Sequence, residues 1–240
     1  MLDSEKFNKN LSKYNSNAFI QKKIAAELLK ILEKSVGDSF SKIFEIGCGS
    51  GFLTKGIVKN LKYQTFIAND ITENSKKYIK QFECEFYCGD AEKIKFQNDF
   101  DLIISSSVFQ WFKDLDGFFN KVYNSLKNGG ILAFSMFTKD NFKEINDFLG
   151  ISLNYFDNDD ILQKLNKKFD VIFSDTKKNI LNFKSPIDIL KHIKNTGVNA
   201  INKERLTKNN IYDFINSDIL NLTYSYNFIV VRKNELFWIW

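Results

Sequence analysis

The sequence predicts an α/β domain, a mostly parallel sheet with helices on both faces. Three observations carry this. Five short apolar segments alternate with helical ones between residues 42 and 137. The first of them runs straight into a glycine-rich turn, Gly47-Cys48-Gly49-Ser50-Gly51. Carboxylates stand at the ends of the first three, as Glu45, Asp70 and Asp90.

The elements follow in order. Residues 17–35 set Phe19, Ile20, Ile24, Leu28, Leu29 and Leu32 at three- and four-residue spacings, an amphipathic helix with Asn17 as its N-cap. KIFEI (42–46) is a buried strand, and FLTKGIVKNL after the glycines is a helix. QTFIAN is the second strand, ending at Asp70, with a helix from Thr72 to about Lys80. ECEFYC is the third strand, ending at Gly89-Asp90-Ala91, and FDLIISS the fourth, ending at Ser106. A helix near 115–126 leads through a Lys127-Asn128-Gly129-Gly130 turn to the fifth strand, ILAFSMF. Beyond residue 140 the pattern changes. Segment 156–167 reads as helix, 170–183 as a strand with a bend, 185–217 as basic helix and 222–233 as a last strand. The apolar tail ELFWIW is expected to pack at the end of that strand.

At 240 residues and 28.0 kDa the chain fits one domain spanning 1–240. A core at 40–138 would be followed by covering segments at 141–168 and 184–217. No apolar run approaches the ~18 residues of a membrane span, and the first residues lack the apolar stretch of a signal peptide. Cys48, Cys84 and Cys88 are too few and too scattered for a disulfide framework, and with His192 the lone histidine no metal site is expected. A cytoplasmic, monomeric protein is the expectation. The net charge of +5 is local. Residues 176–210 hold eight bases against two acids, a net +6, which leaves −1 for the rest. Such a distribution argues against a nucleic-acid partner and for one basic segment.

The glycine turn has a geometric purpose. A tight turn that lets a nucleotide approach the backbone needs residues without Cβ. The spacing is G-x-G-x-G, with Phe52 where a dinucleotide fold would carry its third glycine, and no Lys-Ser/Thr follows as in a P-loop. A cofactor without a pyrophosphate suits it. Asp70, 19 residues after Gly51, has the reach to bind ribose hydroxyls, and Asp90 to accept from an adenine amino group. An Asp at such a place also caps the next helix, but the glycine loop and both spacings together favour a nucleoside.

In Glu45-x-Gly47-Cys-Gly49-Ser-Gly51, Asp70-Ile-Thr72, Gly89-Asp90-Ala91-Glu92, Phe100-Asp101-Leu-Ile-Ile and Leu126-Lys-Asn-Gly-Gly130, residues 40–138 resemble the class I S-adenosylmethionine-dependent methyltransferases. The resemblance implies a Rossmann-like, seven-stranded, mostly parallel sheet with an antiparallel last strand. It also implies S-adenosyl-L-methionine as cofactor and S-adenosyl-L-homocysteine as product. Carried onto matching positions, the cofactor contacts would be Gln21, Glu45, Gly47, Cys48, Gly49, Gly51, Asp70, Ile71, Asp90, Ala91, Ser105 and Ser106. One departure is the helix after strand two, ENSKKYI, where the family usually carries Met-Leu.

Base-amine methyltransferases carry a Pro-Pro-aromatic loop after strand four and cytosine C5 enzymes a Pro-Cys nucleophile. Pro186 is the only proline here, so both are absent. Phe7, Tyr14, Gln21, Val108-Phe-Gln110-Trp111, Ala133-Phe134-Ser135, Phe183-x-Ser-Pro186, Leu190-Lys-His192-Ile-Lys194-x-x-Gly197 and Leu222-Thr-Tyr224 together are similar to the malonyl-[acyl-carrier protein] O-methyltransferases of biotin synthesis, over nearly the whole chain. That resemblance implies methyl transfer to the free carboxylate of a malonyl group on an acidic acyl carrier protein. Tyr14, Gln110 and Trp111 would stand at the reacting groups. Lys191, His192, Lys194, Arg205 and Lys208 would form a basic helical lid toward substrate and carrier, Lys191 and Lys208 replacing the family's more usual Arg. A free aconitate-type acid as acceptor, or a non-catalytic module that binds cofactor and carrier, are the alternatives.

Overall fold

A computed structural model of the chain describes residues 18–96, 98–150, 155–166, 168–196 and 207–234. Helix α1 (Phe19–Val36) leads into β1 (Lys42–Ile46), α2 (Phe52–Asn60) and β2 (Thr65–Asp70). A 3-10 turn at Glu73–Ser75 and the single turn α3 (Lys76–Ile79) precede β3 (Glu85–Cys88). Then come β4 (Phe100–Ser106), α4 (Leu115–Ser125), β5 (Leu126–Phe137), α5 (Lys143–Leu149) and α6 (Asn158–Leu165). The chain closes with β6 (Phe169–Asn182), α7 (Pro186–Asn195), α8 (Lys208–Ile215) and β7 (Asn221–Lys233).

The seven strands form one sheet in the order β3-β2-β1-β4-β5-β7-β6. β1 to β5 pair in parallel, and β7 inserts antiparallel to both β5 and β6. The order reverses between β1 and β4, which opens a crevice at the carboxyl ends of those strands. Buried apolar runs in β1, β2, β4 and β5 fit strands covered on both faces. One face is covered by α1, whose Ile24, Leu28 and Leu32 are fully buried with Ile57 of α2. The other is an aromatic layer: Phe109 lies 5.0 Å from both Phe118 of α4 and Phe134 of β5, and Phe44 stacks on Phe100 at 5.1 Å.

Several boundaries differ from the expectation for local reasons. α1 is capped at Ala18, which offers no side-chain bond, and Asn17 lies outside the described residues. The turn expected at 127–130 is instead an excursion within β5. Leu126 pairs with Phe100 and Ile131 with Leu102, so four residues loop out opposite Asp101, whose carboxylate holds Lys127 Nζ at 3.0 Å. The bend in β6 is a register shift between Val171 and Phe173. α5 was not expected: it buries only Ile145, so its apolar periodicity is faint. The basic region resolves into α7 and α8, with 197–206 outside the described residues, as is the tail at 235–240.

Candidate active site

The crevice holds a cavity of about 380 Å³ at the carboxyl ends of β1, β2 and β4. Its floor is the turn after β1. Gly47 has φ +72°, and the backbone N–H groups of Gly47 and Cys48 both donate to Asn69 O, at 2.8 and 2.9 Å. A Cβ on Gly47 would lie 2.3 Å from Val108 Cγ2. Glycine is therefore required there twice, by the dihedral and by the neighbouring loop.

Acidic groups line this floor. Asp70 Oδ2 accepts from Gly49 N at 2.7 Å and Oδ1 from Thr72 N at 2.9 Å, which locks the end of β2 onto the glycine turn. Burial raises its pKa, against those N–H bonds and the Ser75 hydroxyl. Glu45 is fully buried, and one oxygen accepts from Thr54 Oγ1 at 2.7 Å. Desolvation carries its pKa from the usual 4.5 up to about 8; the Thr54 bond opposes the rise and the charge of Asp70 adds to it. Asp90 accepts from Glu92 N at 3.0 Å and pairs with Lys93 at 3.1 Å.

The unpartnered polar atoms state what the cavity lacks. Gln21 Oε1, Glu45 Oε1 and Gln110 Oε1 are buried acceptors without a donor, and all three residues line the cavity. Buried polar groups are normally paired. A ligand that brings N–H and O–H donors and positive charge fits these acceptors beside Asp70. An adenosyl group bearing an amino acid has that donor set, and the glycine turn supplies the cradle that a Cβ would fill.

The loop after β4 forms the opposite wall. Ser107 has φ +61°, Val108 packs over Gly47, Phe109 plunges into the aromatic core, and Gln110 and Trp111 face the cavity. Glu92 Oε1 accepts from the N–H groups of Lys113 and Asp114 at 2.9 and 3.0 Å, which ties this wall to the Asp90 loop. Lys121 Nζ braces the same loop from α4, donating to the carbonyls of Ala91, Glu92 and Ile94 at 3.0, 2.5 and 3.1 Å. Lys121→Met keeps most of the unbranched apolar stem but removes all three bonds. A loss of about 1–3 kcal/mol is expected, read as a lower thermal midpoint together with weaker cofactor binding. A cofactor affinity equal to the parent's would show that the loop does not depend on Lys121.

The structure gathers most of the residues singled out from sequence. Gln21, Glu45, Gly47, Cys48, Gly49 and Asp70 line the cavity, as do Ile71, Asp90, Ala91, Ser106, Gln110 and Trp111. Gly51 does not: it faces Phe82 and Ile79 behind the turn. Ser105 does not either, because its hydroxyl is spent on Ile46 O at 2.8 Å, bonding β4 to β1. Lys191, Lys194 and Lys208 are exposed on α7 and α8, away from the cavity lining. His192 Nε2 meets Tyr224 OH at 2.8 Å, and burial lowers its pKa. Tyr14 and Arg205 lie outside the described residues. Sequence reasoning missed Ser107, Lys93, Lys113, Phe137 and Thr196, which also line the cavity. Ser107 and Lys93 adjoin residues that were singled out, Lys113 lies two residues after Trp111, Phe137 ends β5, and Thr196 comes from a distant segment that spacing alone does not join. No group of three or more His, Cys, Asp or Glu placed to hold a metal occurs among the described residues.

Comparison with known proteins adds to this geometry. Residues 44–134 match a family model described as a methyltransferase domain. A protein of Calditerrivibrio nitroreducens named malonyl-[acyl-carrier protein] O-methyltransferase is 37% identical over 229 residues, covering 92% of each chain. The protein of that name from Haemophilus influenzae is 35% identical over 244 residues, covering 96% of this chain and 93% of its own. Among solved structures, the N-methyltransferase NodS of Bradyrhizobium japonicum, in complex with S-adenosyl-L-homocysteine, superposes with a TM-score of 0.54 at 13% identity, covering 88% of this chain and 86% of its own. At that identity the likeness is one of fold.

Proposed function

The chain belongs to the malonyl-[acyl-carrier protein] O-methyltransferase family, and from that premise we propose that it methylates the free carboxylate of a malonyl group carried on an acyl carrier protein, an early step of biotin synthesis. The observation that carries this reading is the cavity itself: buried, unpartnered acceptors and acidic groups on one side, and a polar-then-aromatic wall on the other. S-adenosylmethionine supplies an electrophilic methyl group on a sulfonium. The Gly47–Gly49 turn would cradle it, with Asp70 and Asp90 toward the nucleoside and Gln21 and Glu45 toward the amino acid.

The acceptor carboxylate is already ionised at pH 7, so the chain needs no general base. Its residues have two remaining tasks. The first is to hold the acceptor oxygen in line with the methyl group, where positioning alone removes much of the barrier. The second is to keep water out, because opposite charges cancel as the reaction proceeds and a polar solvent slows that step. Trp111, Phe112 and Phe137 supply an apolar wall for the second task. Segments 141–168 and 184–217 would cover the acceptor side.

The exposed Lys184, Lys191, Lys194 and Lys208 would attract an acidic carrier and speed its encounter. Raising ionic strength is then expected to raise the apparent KM for the carrier-bound substrate; a KM indifferent to salt would remove these lysines from docking. The function is tested by mass spectrometry of malonyl-carrier protein incubated with S-adenosylmethionine and this protein. A gain of one methyl that mild esterase treatment removes is the expected result. No gain, with cofactor binding intact, would turn the search to free carboxylic acids.

A further inference from the structure

Three non-glycine residues among those described have positive φ: Asp99, Ser107 and Phe142. Ser107 is the one that lines the active-site cavity. Its left-handed backbone is pinned on both sides. Ser107 N donates to Ser135 O at 2.8 Å, and Ser107 O accepts from Gln110 Nε2 at 2.6 Å. The kink turns the chain so that Val108 covers Gly47 and Gln110 faces the cavity. Glycine or asparagine would take this conformation at lower cost, and strain of this kind collects at binding sites. The serine hydroxyl, meanwhile, is buried and has no partner.

The character of that orphan matters. Of the other buried atoms left unpartnered, the amide oxygens of Gln21 and Gln110 only accept, and Glu45 can donate only while its carboxyl keeps its proton. A hydroxyl can donate. Ser106 beside it is already engaged with Ser135 Oγ at 3.1 Å, and Gln110 has its amide N–H on the Ser107 carbonyl. Ser50, the other orphaned hydroxyl of the cavity lining, belongs to the glycine turn. Ser107 Oγ is thus an unspent donor on the Gln110–Trp111 wall, where residues 106–112 contribute no carboxylate. We propose that Ser107 binds the methyl acceptor, donating its hydroxyl to an oxygen of the acceptor carboxylate and so orienting that group toward the methyl donor. The assignment rests on the acceptor being a carboxylate, as argued above.

Two variants separate hydroxyl from backbone. Ser107→Ala keeps the strained dihedral and loses the donor. Ser107→Gly relieves the dihedral and loses the donor too. Both are expected to lose about tenfold or more in kcat/KM for malonyl-carrier protein, chiefly through the acceptor KM, as a bond to a charged group should. The dissociation constant of S-adenosylhomocysteine, measured by calorimetry, should stay at the parent value in both. The thermal midpoint of Ser107→Gly should not fall. Full activity in either variant overturns the proposal, because the hydroxyl is then dispensable. A parallel loss of S-adenosylhomocysteine affinity overturns it as well, by moving Ser107 to the cofactor side. If the unaltered protein binds S-adenosylhomocysteine yet transfers no methyl group to malonyl-carrier protein, the functional reading itself fails and this assignment falls with it.

Discussion

Glu45→Gln is expected to bind S-adenosylmethionine about tenfold or more weakly than the parent and to release no proton as it binds. The carboxyl sits at the end of β1, fully buried, with one oxygen on Thr54 and the other unpartnered toward the cavity. Burial raises its pKa to about 8, so at pH 7 the ligand-free protein holds Glu45 mostly protonated. A cationic ligand favours the charged form, so binding at pH 7 must expel that proton. Affinity should therefore rise with pH up to about 8 and level off above it. The linkage to folding runs the other way. The neutral carboxyl contributes stability that is fully present below the usual 4.5 and is lost as pH climbs through about 8 in the unliganded protein. Glutamine keeps the volume and the Thr54 bond, and abolishes both pH dependences. Calorimetry in two buffers of different ionisation enthalpy reads the proton directly. Equal enthalpies in both buffers for the parent protein at pH 7 would place the ionisation elsewhere.

Glu45 also shows how far the sequence could be read. Its position at a strand end was legible because β1 is five residues of KIFEI before a glycine turn, and a parallel sheet places every strand's carboxyl end on one crevice. Asp70 and Asp90 followed by the same logic. Ser105 misled for a reason of register. Side chains alternate along β4, so of two adjacent serines only Ser106 turns toward the cavity while Ser105 reaches across to Ile46 O. Gly51 misled because three glycines in a row of five serve different neighbours, and Gly51 leaves room for Phe82. The basic helices were legible as charge but not as location: Lys191 pairs with Asp188 on the exposed face of α7, while Thr196 at that helix's end lines the cavity. Phe137 ends β5, so the same parallel-sheet logic reaches it, but nothing in spacing along the chain links Thr196 to the glycine turn. Ser107 was hidden differently, since its part depends on a left-handed dihedral set by Ser135 and Gln110.

That dihedral bears on Gly47→Ala, which is expected to damage both walls of the cavity at once. A methyl group at residue 47 meets two costs. The left-handed backbone costs about 1–2 kcal/mol for a residue with a Cβ. The contact is the larger problem, since 2.3 Å to Val108 Cγ2 leaves the neighbour no choice but to move. Val108 is poorly placed to do so. It is preceded by Ser107, pinned to Ser135, and followed by Phe109, which is fully buried among Phe118, Phe119 and Phe134. Overpacking of this kind adds about 1–3 kcal/mol. Gly47→Ala should therefore lose stability on the order of 2–5 kcal/mol, with cofactor affinity and methyl transfer falling together. The second variant makes the cause testable. Val108→Ala removes the two methyl groups in closest contact and leaves its Cβ at 3.2 Å, tight but tolerable after a small shift. In the double variant the overpacking disappears and only the dihedral cost remains, so the two substitutions should be less damaging together than their sum, by about 1 kcal/mol or more. Strict additivity would mean that Val108 does not confine Gly47. The glycine would then answer to its dihedral alone, and the cofactor turn and the acceptor wall would be independent parts of the site rather than two sides of one contact.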